Sequence, residues 1–186
     1  MKNIKDFIVS ESIVANDKIL QSIQNVLNKK LKDRSFAIDI KSMTNYRDTS
    51  NIPMGFETTD DLMYDIAGYL VELFVWNILN NDLFTDPDFQ NEWLSDVQNQ
   101  MKGVINANKE FKPIVRKSQK GKYWDFELPG VDGKFEIKAR SIKEGKSGGF
   151  RYTDYQKNDK NLVYIYIKYK VNDKNISIDS IEVKRK

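Results

Sequence analysis

Asp125, Glu136 and Lys138 lie in one segment, Tyr123 to Ala139, where two runs of alternating apolar and polar residues flank a turn-forming stretch. Two carboxylates and an amine gathered by a hairpin are the minimal equipment for metal-assisted hydrolysis of a phosphodiester. A hard divalent ion such as Mg²⁺ takes oxygen ligands and keeps several waters, so Asp125 and Glu136 would hold it, with the Ile137 carbonyl as a third oxygen. The Lys138 ammonium can orient the attacking water, lower its pKa or offset charge growing on phosphorus. Sequence leaves those three roles open.

The alternation sets Trp124, Phe126 and Leu128 on one face of the first arm and Tyr123, Asp125 and Glu127 on the other. On the second arm Phe135, Ile137 and Ala139 share a face, so Glu136 and Lys138 project together from the opposite one. Register decides whether the groups meet. Asp132-Gly133 is a two-residue hairpin signal that would pair Val131 with Lys134 and set Asp125 opposite Arg140. A longer loop, Gly130 to Gly133, sets Asp125 opposite Lys138 with Glu136 as its diagonal neighbour. Pro129 disfavours tight pairing beside the turn, so the longer loop is the expected one.

An Asp, a short hairpin and then Glu136-Ile137-Lys138 resembles the PD-(D/E)xK nuclease superfamily, which includes type II restriction enzymes and resolvases. The resemblance is strongest over Tyr123 to Ser141, and it departs in one place: Trp124 stands where the family has Pro before its first Asp. It implies a restriction-endonuclease-like α/β (α+β) fold, a mixed sheet flanked by helices, with Mg²⁺ as cofactor and double-stranded DNA as substrate. It also implies a further acid from an early helix, for which Glu72 is the candidate and Asp65 the runner-up. The same Asp/Glu-x-Lys pattern occurs at Asp39-Ile40-Lys41 and Glu182-Val183-Lys184. The first follows a helical stretch, and the second sits at the C-terminal end, where fraying is expected.

Cysteine and histidine are both absent, which excludes disulfides, thiolate zinc sites and imidazole acid–base chemistry. Any catalysis rests on carboxylates and lysines. At 186 residues and 40% hydrophobic content the chain fits a single domain with a real core. No apolar signal core or membrane-length run appears, so a cytoplasmic protein is expected. Charge is divided: residues 1–111 hold 11 Lys and Arg against 17 Asp and Glu, whereas residues 112–186 hold 19 against 10. The basic part contains the proposed site, as tracking a phosphate backbone would require.

Residues 1–111 read mainly as helices and 112–186 mainly as strands. Asn16 caps an amphipathic helix bearing Ile19, Leu20, Ile23, Val26 and Leu27. A short strand follows over Ser35 to Ser42, then a turn-rich loop from Thr44 to Pro53. Asp60 and Asp61 open a central helix through Leu79, with Leu62, Ile66, Leu70, Leu73 and Asn77 on one side. Thr85-Asp86-Pro87 starts another helix, continued by Phe89, Trp93, Val97, Met101 and Ile105. Strands are expected from Ile114 on, including Asn161 to Lys170, with Val163, Ile165 and Ile167 alternating against Tyr164, Tyr166 and Lys168, and Ile176 to Val183. The glycine-rich basic stretch Lys143 to Tyr152 reads as a flap over DNA, and Arg140, Lys146, Arg151, Gln156 and Lys157 as phosphate contacts.

Length and layout resemble the small subunit of a heterodimeric type IIS restriction endonuclease, in which a larger nicking subunit recognises an asymmetric site. That implies docking through the acidic N-terminal part, and removing residues 1–34 is then expected to abolish partner-dependent cutting while sparing the core. A self-sufficient homodimeric restriction enzyme and a non-catalytic DNA-binding or partner-binding module remain the alternatives.

Overall fold

A computed structural model describes residues 13–38, 59–94, 115–118, 122–128, 131–142, 149–173 and 175–185. The turn-rich 44–53 segment, Asp39-Ile40-Lys41, Lys146, and the helical continuation through Val97, Met101 and Ile105 lie outside these residues.

Helix α1 (Asp17–Leu31) begins where the sequence puts its cap, Asn16 Oδ1 accepting from the Ile19 N–H at 3.0 Å. Asp17 in the first turn and Lys29 and Lys30 in the last complement the helix dipole. Its stripe of Ile19, Ile23, Leu27 and Leu31 is buried against the sheet, and Gln24 Oε1 accepts from the Val183 N–H at 2.9 Å. The helix is therefore part of the core, and removing residues 1–34 would uncover the sheet face that it buries. Helix α2 (Thr59–Asn81) buries Ile66, Ala67, Leu70, Val71, Val75 and Leu79, so its inner face is wider than the single arc expected, and Asn77, placed on that arc by spacing, is exposed. After a 3₁₀ turn at Leu83–Thr85, helix α3 (Pro87–Leu94) starts at Pro87. Asp86 Oδ1 caps it by accepting from the N–H groups of Asp88 and Phe89, each at 3.1 Å.

Six strands form a mixed sheet in the order β2 (Ser35–Ala37), β8 (Asn175–Arg185), β7 (Leu162–Asn172), β6 (Lys134–Ser141), β4 (Phe126–Glu127) and β3 (Arg116–Lys117). Neighbours are antiparallel except β6 and β7. A parallel pair needs a crossover, and here it carries a short helix absent from the sequence reading, α4 (Asp154–Asn158). Phe135, Ile137, Val163, Ile165 and Ile167 face the buried stripes of α1 and α2. The opposite face of β7 is also covered, with Tyr164 fully buried, so the expected polar side of this strand is a second, aromatic cluster instead. That is the usual condition of a central strand with a parallel neighbour. Strand β8 is paired along its length with β7, so Glu182 and Lys184 stand on an ordered strand and not on a frayed end.

The hairpin register differs from both sequence alternatives. Phe126 pairs with Phe135 and Glu127 with Lys134, which puts Asp125 level with Glu136. The physical reason is a competing partner: Val131–Asp132 (β5) pairs in parallel with Ile13–Val14 (β1), and the Ala15 N–H donates to the Asp132 carbonyl at 3.3 Å. Asp132-Gly133 is thus spent on a long-range ladder and does not turn the hairpin. Trp124 also departs from the expected face, packing with Tyr123 and against the cluster of Leu162, Tyr164 and Tyr166 while Phe126 and Leu128 enter the main core.

Candidate active site

Strand β4 covers only the start of β6, and Asp125 lies just past it. Its N–H donates to the Phe135 carbonyl at 2.8 Å, and its Oδ2 accepts from the Ile137 N–H at 2.6 Å. The aspartate side chain thereby stands in for a strand partner at the edge of β6. Within a strand the N–H and C=O of one residue leave on the same side. The Ile137 carbonyl, expected as a third oxygen, is therefore directed to the edge that Asp125 occupies.

Glu136 projects from the tyrosine-bearing face and is buried, at 7% exposure. Its Oε1 accepts from Lys138 Nζ at 2.8 Å and from Gln156 Nε2 at 2.7 Å. Gln156 also donates to the Tyr123 carbonyl at 2.9 Å, while its own Oε1 accepts from the Thr153 N–H at 3.0 Å. Thr153 Oγ1 accepts from the Gln156 N–H in return, completing a capping box at the start of α4. Helix α4 is anchored below by Tyr164, whose hydroxyl donates to the Gln156 carbonyl at 2.8 Å. Sequence alone puts Gln156 among the phosphate contacts. It is instead buried and fastened to Glu136, and the Thr153-x-x-Gln156 capping pattern was the signal that could have revealed its helix.

The electrostatics are tense. Burial first, and the Asp125 charge second, push the Glu136 carboxyl up to about 7, against the opposing effect of Lys138 and Gln156. Like charges level with each other across a strand pair repel. A cation held by both carboxylates would relieve that repulsion, so the donor set fits a hard divalent ion, with Asp125, Glu136 and the Ile137 carbonyl as the residues that would hold it. Among the described residues, no group of three or more acids gathers.

The chain matches no protein-family model and no curated protein.

The remaining candidates are placed unevenly. Glu72 is half-buried on α2, whose buried stripe packs against the Ile137 side of the sheet, opposite the face bearing Glu136 and Lys138. A carboxylate from α2 would have to approach past the outer edge of β6. Of Asp65 only the helical backbone is described. Arg140 is half-buried and donates to the Gly149 carbonyl, which ties β6 to the return of the glycine-rich stretch. Arg151 and Lys157 are exposed, and Lys157 pairs with Asp154 at 2.8 Å. Beneath the site, Tyr152 donates to the Tyr166 hydroxyl at 2.9 Å and the Lys138 ammonium lies 5.9 Å from the Tyr152 ring, so the lysine is framed by an aromatic wall. Among the described residues no helix is long and apolar enough to cross a membrane.

Proposed function

We propose that this chain is a Mg²⁺-dependent endonuclease that hydrolyses phosphodiester bonds of DNA. The observation that carries the reading is the meeting of Asp125, Glu136 and Lys138 at one strand edge, the lysine bonded to the glutamate at 2.8 Å and the aspartate level with it. A bound Mg²⁺ would supply Lewis-acid polarisation of the scissile phosphate. Asp125 and Glu136 would position it, and Asp125 is itself fixed by the Ile137 N–H. The Lys138 ammonium, held by Glu136 and only 17% exposed, is placed to orient a water or to offset charge on the phosphate oxygens. Gln156 keeps the glutamate carboxyl from turning away. The surplus of cations over residues 112–186 supports a polyanionic substrate. The finer assignment is the strand-cleaving small subunit of a heterodimeric type IIS enzyme, acting beside a larger DNA-recognising chain.

The test is incubation of the intact chain with Mg²⁺ and mixed-sequence duplex, alone and with the proteins encoded beside its gene. Mg²⁺-dependent cleavage is expected, reduced about a hundredfold or more in Lys138→Ala while DNA binding is retained. Strand-specific products that need a second protein support the small-subunit assignment, and double-strand breaks by the chain alone replace it with a homodimeric enzyme. Absence of Mg²⁺-dependent cleavage under every condition overturns the nuclease reading in favour of a non-catalytic module.

A further inference from the structure

Tyr155 is 75% exposed, which is anomalous for a large ring among the described residues, where the other large hydrophobic side chains are at least partly covered. Its ring stacks on Tyr123 with centroids 5.9 Å apart and planes 17° from parallel, and Tyr123 meets Trp124 edge-on at 5.0 Å. Tyr123 is rigidly held. Its hydroxyl donates to Asp159 Oδ2 at 2.8 Å and accepts from Lys134 Nζ at 3.0 Å. The same ammonium lies 4.6 Å from the Trp124 ring centre, and that of the exposed Lys122 lies 5.4 Å from it. The next residue along α4 from Tyr155 is Gln156, which fastens this helix to Glu136. An open aromatic face, braced from behind, with Lys122 and Lys134 against its rings and the exposed Lys157 and Lys160 close by along the chain, is thus fixed at the margin of the carboxylate pair.

We propose that the Tyr155–Tyr123 stack is a platform for one unpaired nucleobase of a nucleic-acid strand, seated beside the phosphate that the Asp125–Glu136 edge addresses. The inference deepens the nuclease reading and rests on it for the identity of the strand. Base-on-ring stacking tolerates any base, because every base presents a π-face, and the surrounding ammonium groups match the phosphates on either side of it. Tyr155 is a binding residue in this account, and it takes no part in bond breaking.

Binding of a fluorescein-labelled oligothymidylate to the intact chain, read by anisotropy in EDTA, separates this proposal from hydrolysis because no cleavage can occur. Tyr155→Ala is expected to weaken binding about fivefold or more, and Tyr155→Phe to retain it, with melting temperatures of both variants unchanged at so exposed a position. Unchanged affinity in Tyr155→Ala, or no binding of the oligonucleotide by the unaltered chain, overturns the platform. Loss of association with a protein partner alone, with oligonucleotide binding intact, overturns it in favour of a protein contact. If Tyr155→Ala weakens binding and the chain cleaves nothing with Mg²⁺, the platform stands and hydrolysis falls.

Discussion

At the scale of single residues, Glu136 sets the behaviour of the site. Its carboxyl is raised from the ordinary glutamate range to about 7, so the folded chain holds a proton there that the unfolded chain has released. The associated stability is fully present below about pH 4.5 and is lost as pH rises through about 7. Thermal melts in EDTA should therefore show the unaltered chain losing stability relative to Glu136→Gln between those limits, and parallel melting curves would contradict it. Gln156 acts on the same carboxyl. Because its hydrogen bond favours the charged form, Gln156→Leu should move the alkaline-rising limb of the cleavage rate to higher pH and lower kcat more than it changes KM. A limb that stays in place would mean that Gln156 only packs. The three candidate groups can be singled out from residue type and spacing, since alternation alone puts Glu136 and Lys138 on one face. The hold of Gln156 was not, because it closes a gap of 20 residues that no local pattern spans.

At the scale of elements, local chemistry carried far. Asn16 and Pro87 mark helix starts for reasons contained in a single turn: an oxygen that accepts an orphan N–H, and a ring that has no N–H to lose. The strands β7 and β8 follow from two-residue alternation of Val163, Ile165 and Ile167 and of Ile176, Ile178, Ile181 and Val183 around one irregularity near Lys168. Register escaped the sequence because it was decided by distant competition. Val131–Asp132 found β1, over a hundred residues away, and the hairpin loop lengthened to accommodate it. Trp124 escaped for a related reason, being placed by the tyrosines of β7, whereas α4 is marked locally by the Thr153-x-x-Gln156 capping pattern. Helix α1 is structural: Leu27→Ala should cost about 2–5 kcal/mol in denaturant unfolding, and Asn16→Ala about 1 kcal/mol. A loss under 0.5 kcal/mol at Leu27 would show that the helix is not the core element described.

At the scale of the whole molecule, the two faces of one sheet divide the work. One face, with α1 and α2, supplies apolar burial. The other presents Glu136 and Lys138 over a layer of tyrosines and is closed by a helix of five residues. That division explains how buried charge is tolerated: Glu136 is bonded to Lys138 and to Gln156, and the hydroxyls of Tyr152 and Tyr164 are themselves donors within the layer. The proposed function makes the surplus of cations over residues 112–186 a binding surface for a polyanion, and DNA binding should then weaken as salt rises. The proposed function requires the edge of β6 to grip one divalent cation between Asp125 and Glu136. Calorimetric titration of the intact chain with Mn²⁺ at pH 8 tests it most directly. One site per chain is expected, abolished in Asp125→Asn and in Glu136→Gln. No binding by the unaltered chain, or equal binding by both variants, would contradict the account.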